Sequence, residues 1–251
     1  RASLCPGEDE SEHWVPLEKM KTVHWVPLES NPDMLSGFAW GVGLPKGWEF
    51  VDVYGVDPEM LGMVPGTCCA VTLLFGNSDK LKGFREEQRK KIEAEGGGKV
   101  SGNLVYLKQY VGNACGTIAA IHSIANNAEA MGLSEDTPLG RFLAKIRGMT
   151  PVEAGLELAN AQELHQASET SAAGGQTAAP EATADVDAHF IAFVEKEGDV
   201  YELDGVKVFP INHGPSDGSL LKAAAKVIKS CFMDQDPDSI QFNMMALVKS
   251  E

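Results

Sequence analysis

The nine residues Gln109-Tyr110-Val111-Gly112-Asn113-Ala114-Cys115-Gly116-Thr117 constrain this chain more than any other stretch. Leading into them, Leu104–Gln109 is rich in β-branched and aromatic residues and reads as a strand. Beyond Cys115, Ile118, Ile121 and Ile124-Ala125 recur at helical spacing. The chain has to turn from strand to helix here, with Asn113 as the expected N-cap of a helix running from Asn113 to Met131. The Cys115 sulfur then sits near the positive end of a helix dipole, where free backbone N–H groups favour thiolate over thiol. Cys115 is therefore the candidate nucleophile.

A thiol nucleophile needs a base, a group that orients the base, and donors for a developing oxyanion. Histidine is the natural base, because its pKa lies near neutrality. Of the six histidines, His189 stands out: Asp187-Ala188-His189-Phe190-Ile191-Ala192-Phe193-Val194 alternates like a strand, Glu197-Gly198-Asp199 reads as a tight turn, and Val200–Asp204 as the returning strand. The outer ends of such a hairpin face each other, which brings Asp204 close enough to His189 to fix its tautomer and orientation. Gln109, six residues before Cys115, is placed to turn its amide N–H toward an oxyanion together with the Cys115 backbone N–H.

Taken singly, each of these residues has a plainer reading. A cysteine in an apolar stretch is more often a buried, inert thiol, and that is the expectation for Cys68, Cys69 and Cys231; Cys5 lies in a polar tail. His122, two helical turns past Cys115, reads as structural. His213 reads as a packing or loop residue, and His165 as a solvated one.

The motifs together resemble the ubiquitin carboxyl-terminal hydrolases, of the short single-domain L-type. The resemblance is carried by Trp25-Val26-Pro27-Leu28-Glu29-Ser30-Asn31-Pro32, Phe50-Val51-Asp52-Val53-Tyr54-Gly55 and Gln109–Thr117. It continues through Asp187–Ala192, Tyr201-Glu202-Leu203-Asp204-Gly205 and Phe209-Pro210-Ile211-Asn212-His213-Gly214. His189 follows Cys115 by 74 positions and Asp204 follows His189 by 15, separations typical of that family. The resemblance implies Cys115 as nucleophile, His189 as general base and acid, Asp204 as orienter and Gln109 as oxyanion donor. It implies hydrolysis of ester, thioester, amide and small peptide adducts at the C-terminal glycine of ubiquitin, or of a ubiquitin-like protein, with no cofactor and no metal. It further implies a papain-like core in a knotted chain, an acidic surface including Glu29, Asp33 and Asp52 for the basic tail of ubiquitin, and a monomer working in the cytoplasm and also the nucleus. Two other classes remain open on the residues alone: a non-catalytic ubiquitin-binding or scavenging protein, and a thiol hydrolase unrelated to ubiquitin.

Composition narrows the field in the same direction. A formal net charge of −15 disfavours nucleic acid and anionic membranes as partners and favours basic ones. Five cysteines without paired spacing indicate neither a disulfide framework nor a zinc site, and point to a reducing compartment. The longest apolar runs are too short to span a bilayer. No secretory signal is visible, and a chain that opens at Arg1 rather than Met is expected to lack its original N-terminus.

The expected architecture is one α/β (α+β) domain, a mainly antiparallel central sheet flanked by helices. Helices are expected at Asn31–Val42, with Asn31 capping and Pro32 in its first turn, and at Pro58–Met63, Lys80–Glu95, Pro138–Arg147, Pro151–Gln166 and Ser219–Met233. Strands are expected at Phe50–Tyr54, Cys69–Phe75 and Gln241–Val248, besides the hairpin. Ala167–Ala184 shows no apolar period and reads as a mobile loop; in the family it is the crossover segment that straddles the cleft. His13-Trp14-Val15-Pro16-Leu17-Glu18 recurs as His24-Trp25-Val26-Pro27-Leu28-Glu29, and only the second copy continues into Ser30-Asn31-Pro32. Residues 1–22 are therefore expected to be an N-terminal extension and 23–251 the catalytic domain.

Overall fold

Strands whose residues are apolar on both faces need cover on both sides, and that requirement organises the molecule. The computed structural model describes residues 23–177, 180–184 and 186–250; the first copy of the repeated motif and the boundary at residue 22 fall outside these. Six strands form one wholly antiparallel sheet in the order β1-β6-β2-β3-β4-β5. They are β1 (Trp48–Val53), β2 (Thr67–Gly76), β3 (Ala188–Lys196), β4 (Asp199–Leu203), β5 (Ile211–Pro215) and β6 (Phe242–Lys249). As expected, the chain is a mixed α/β domain, with β2 central. The final strand, β6, is also interior, between β1 and β2.

Helices cover both faces. On one face, Phe190, Ala192 and Val194 of β3 and Met245 and Leu247 of β6 pack in a cluster. The same cluster draws on α1 (Pro32–Gly41), α4 (Cys115–Ala125), α6 (Pro138–Ile146), α7 (Pro151–Leu158) and α8 (Gln162–Ala172). On the other face, Ile191, Phe193, Leu73 and Phe75 meet α9 (Leu220–Cys231), with Leu61 of α2 (Pro58–Leu61) and Leu81 of α3 (Asp79–Ala94). The short α5 (Ala128–Met131) follows α4 after a break at Asn126-Asn127, so the long helix expected over Asn113–Met131 is two. α4 is buried along nearly its whole length. At Gly116 an added Cβ would lie 3.2 Å from a ring carbon of Phe190, so α4 packs on β3 more closely there than a side chain would comfortably allow.

Several caps follow the sequence. Asn31 caps α1, accepting from Asp33 N at 2.8 Å, with Pro32 in its first turn. Thr150 and Glu153 form a capping box on α7. Further local expectations are overturned, among them the single helix over Pro151–Gln166, which is α7 and α8. Leu104–Gln109 is not a strand, because its backbone pairs piecemeal instead of along one strand. Val105 N donates to Asn126 Oδ1, Leu107 N to His122 Nε2, Lys108 N to Pro151 O and Gln109 N to Gly205 O. Asn113 does not cap α4: the cap position is Ala114, with no side-chain cap, and Asn113 takes a left-handed φ of 58°. Finally, α8 runs to Ala172, into the segment that reads as loop.

Candidate active site

Cys115 is the first residue of α4, half-buried, at the wall of a cleft of about 740 Å³. His189, Gln109, Asn113 and Arg85 line the same cleft. His189 is the second residue of β3, and its Nε2 lies 2.7 Å from Asp204 Oδ1, just past the end of β4. The hairpin register, Lys196 opposite Asp199 and Ala192 opposite Leu203, brings those ends together. With Nε2 committed to Asp204, Nδ1 is the ring nitrogen left for proton exchange with a thiol. Asp204 is fully buried, and its Oδ1 also accepts from Val206 N at 3.1 Å. Gln109 is held by its backbone N–H to Gly205 O at 2.8 Å and by Nε2 to Val111 O at 3.2 Å. The second Nε2 hydrogen remains for an oxyanion.

The electrostatics differ from the helix-dipole expectation. Burial pushes the Cys115 thiol above its ordinary value; the backbone N–H groups of Phe190, Gly116 and Cys115 act the other way without overcoming it. Burial also brings His189 down, to about 3, assisted by the Arg85 and Lys207 cations and opposed by Glu202. The resting pair is therefore neutral thiol and neutral imidazole.

Two neighbours of the site were not legible in the sequence. Arg85 on α3 bonds Asp204 Oδ2 through Nη2 and lies over the Phe75 ring, 4.9 Å from its centroid. Behind Asp204, buried Glu202 binds Lys207 Nζ at 2.7 Å and His213 Nε2 at 3.0 Å. Leu81, Arg85 and Gln88 share one face of α3, Gln88 accepting from Lys207 Nζ at 3.1 Å. Leu81 and Ile92 mark that face of α3 in the sequence, but nothing in their spacing states that the arginine between them is buried against a carboxylate.

The remaining residues divide as follows. His122 is buried and structural, accepting from Leu107 N at 2.9 Å. His213 lies on β5, bonded to Glu202. His165 is not simply solvated: it stacks on Trp25 at 5.0 Å. Cys68 and Cys69 donate to Ala70 O and Leu247 O, and burial raises both thiols, Cys68 to about 12. Burial likewise raises the half-buried Cys231. Of the three acidic residues expected at the substrate surface, Asp33 and Asp52 sit near enough to each other for Asp33 to help burial raise Asp52. Glu29 is engaged elsewhere, accepting from Thr177 N and Oγ1 at 3.2 Å each. None of the three lines the cleft of Cys115. Thr183 and Ala184, at the end of the segment expected to be the crossover, do line it, with Val186 just beyond. Asn113 Nδ2 holds that segment by donating to Ala182 O and Ala184 O at 2.8 Å each.

A cysteine at a helix start shares one cleft with a glutamine and with a histidine held by an aspartate, the group set that a thiol hydrolase needs. Residues 25–233 match ubiquitin carboxyl-terminal hydrolase family 1, and the chain belongs to this family of cysteine peptidases. It is 42% identical over 238 residues to a probable ubiquitin carboxyl-terminal hydrolase of Dictyostelium discoideum, covering 94% of this chain and 88% of that protein. It is 37% identical over 223 residues to the human ubiquitin carboxyl-terminal hydrolase isozyme L1, covering 88% of this chain and 97% of the relative. Its fold is similar to that of the Trichinella spiralis UCH37 catalytic domain, solved bound to ubiquitin vinyl methyl ester. The TM-score is 0.71 at 21% identity, covering 94% of this chain and all of that one.

Proposed function

We propose that this protein, a thiol-dependent ubiquitin C-terminal hydrolase, works through Cys115, His189, Asp204 and Gln109. The observation that carries the assignment of roles is the 2.7 Å contact between His189 and buried Asp204 in the cleft that Cys115 opens onto. As Cys115 attacks the carbonyl of the terminal glycine, its proton passes to His189 and the S–C bond forms. Gln109 Nε2 and the Cys115 backbone N–H hold the oxyanion. The C–O, C–S or C–N bond to the leaving group breaks, and His189 returns the proton to that group. Water, activated by His189, then attacks the acyl-enzyme; the S–C bond breaks, and the carboxylate and free thiol are restored.

The crossover segment supports a preference for small adducts. Asn113 ties it to the nucleophile loop, and Glu29 ties its near end to the N-terminal segment. A leaving group must pass it to escape. The acidic pair Asp33 and Asp52, with Glu29 close to the strap, suits the basic residues near the ubiquitin terminus, since like charges brought together gain from a cation between them. A ubiquitin carrying a C-terminal electrophile should form one covalent adduct, located at Cys115 by peptide mapping. Labelling at Cys68, Cys69 or Cys231 instead would overturn the assignment. Running a ubiquitin-like relative alongside decides which tail the acidic surface accepts.

A further inference from the structure

We propose that Arg85 is a positioning residue for catalysis: its guanidinium fixes the Asp204 carboxylate and offsets that carboxylate's pull on the His189 proton. The inference rests on the roles given above to His189 and Asp204. The two Asp204 oxygens have separate duties. Oδ1 takes His189 Nε2 and Val206 N, while Oδ2 takes Arg85 Nη2. A carboxylate held on one oxygen alone can rotate; one held on both cannot. Phe75 completes the frame, with the Arg85 guanidinium over its face and His189 edge-on to it at 5.8 Å between centroids.

Burying a guanidinium is costly unless every N–H is served. Arg85 is only 13% exposed in its side chain, and its Nε is buried without a partner among the described residues. An arginine that merely anchored α3 would do better at the surface. The charges around His189 explain what the burial achieves. Around it are Asp204 after β4, Arg85 from α3, the buried Glu202–Lys207 pair, and Cys115 from α4 across the same cleft. His213 on β5 and Cys231 on α9 are the next titratable groups, acting on Glu202 and Lys207. Arg85 balances Asp204, and Lys207 balances Glu202. With the charges matched, burial decides and the imidazole stays neutral, able to accept the thiol proton. Without Arg85, Asp204 would be an uncompensated anion against the ring and would favour imidazolium.

The test measures kcat and KM against pH on a ubiquitin C-terminal ester for wild type, Arg85→Lys, Arg85→Gln, Asp204→Asn and the Asp204→Asn/Arg85→Gln double variant, with melting temperatures. Arg85→Gln should lower kcat by about tenfold to a hundredfold, leave KM nearly unchanged and move the ascending limb of the pH profile toward neutrality. Arg85→Lys keeps the charge, so its limb should stay at the wild-type position while kcat falls from lost orientation. In the Asp204→Asn background, Arg85→Gln should cost much less than it does alone, because both act through one carboxylate. An unmoved limb in folded Arg85→Gln, or a full additive loss in the double variant, overturns the proposal and leaves Arg85 an anchor of α3. If Arg85→Gln fails to fold, Arg85→Lys decides: a shifted limb or a wild-type kcat overturns it. A wild-type rate in Asp204→Asn would instead remove the triad reading itself.

Discussion

At the scale of the residue, burial rather than the helix dipole sets the state of the nucleophile. A dipole at a helix start is worth about 0.3–1 kcal/mol, whereas burying an ionised group shifts a pKa by up to about 3–5 units. The thiol is raised and His189 sits at about 3, so the thiolate does not wait in the free enzyme. In the proposed mechanism, His189 then acts as a general base as the substrate arrives. NMR titration of the free enzyme should therefore find the His189 imidazole neutral at pH 6 and still neutral at pH 5; a charged ring at pH 6 would show a preformed ion pair instead. That Cys115, His189 and Gln109 share one cleft, with Asp204 on His189, was legible in the sequence because each lies in a motif whose local structure places it. Arg85, Glu202 and Lys207 were not. They matter only because α3 and β5 are packed against the end of β4, and nothing in a charged helix states which of its cations will be buried.

At the scale of the element, the clearest departures come from tertiary partners overriding local pattern. Ser168 and Ser171 read as loop residues, yet both are buried in α8. Ser168 Oγ lies 2.8 Å from Thr117 Oγ1 of α4, and Ser171 Oγ donates to Met34 O of α1 at 2.5 Å. Those bonds make a polar helix face suitable for packing. The segment proposed to strap the cleft therefore begins only after Ala172, where α8 ends. Inserting about ten Gly/Ser residues between Gly174 and Gly175 should cost little stability, since loop entropy grows with the logarithm of length. It should raise cleavage of a folded ubiquitin dimer relative to a small ubiquitin ester. A ratio that does not rise would make the segment a plain connector.

At the scale of the whole molecule, a sheet covered on both faces gives nearly every strand an apolar environment, and buried ionisable groups then couple folding to pH. His122 and His189 are each held at about 3 against an ordinary value of 6.5, and Glu202 is held well below the usual carboxylate range by Lys207, His213 and Arg85 despite its burial. Below pH 6.5 the unfolded chain takes up protons on these histidines that the folded chain refuses. Stability should therefore fall as the pH drops from about 6.5 toward 3, each proton contributing at most about 1.4 kcal/mol per pH unit, with Glu202 adding to the loss below its ordinary value of 4.5. Urea unfolding across this range checks the sign; stability that rises on acidification would contradict the burial of both histidines. The β3–β4 hairpin, the Asn31 cap of α1 and a sheet flanked by helices were readable from periodicity and cap residues. The piecemeal pairing of Leu104–Gln109 was not, because its partners come from three distant parts of the chain. The most direct measurement of the central claim is steady-state hydrolysis of a ubiquitin C-terminal ester by wild type and by Cys115→Ala. Turnover by wild type, with none by a folded Cys115→Ala protein that still binds ubiquitin within about tenfold, or 1.4 kcal/mol, is the predicted result. Turnover retained by Cys115→Ala would contradict it.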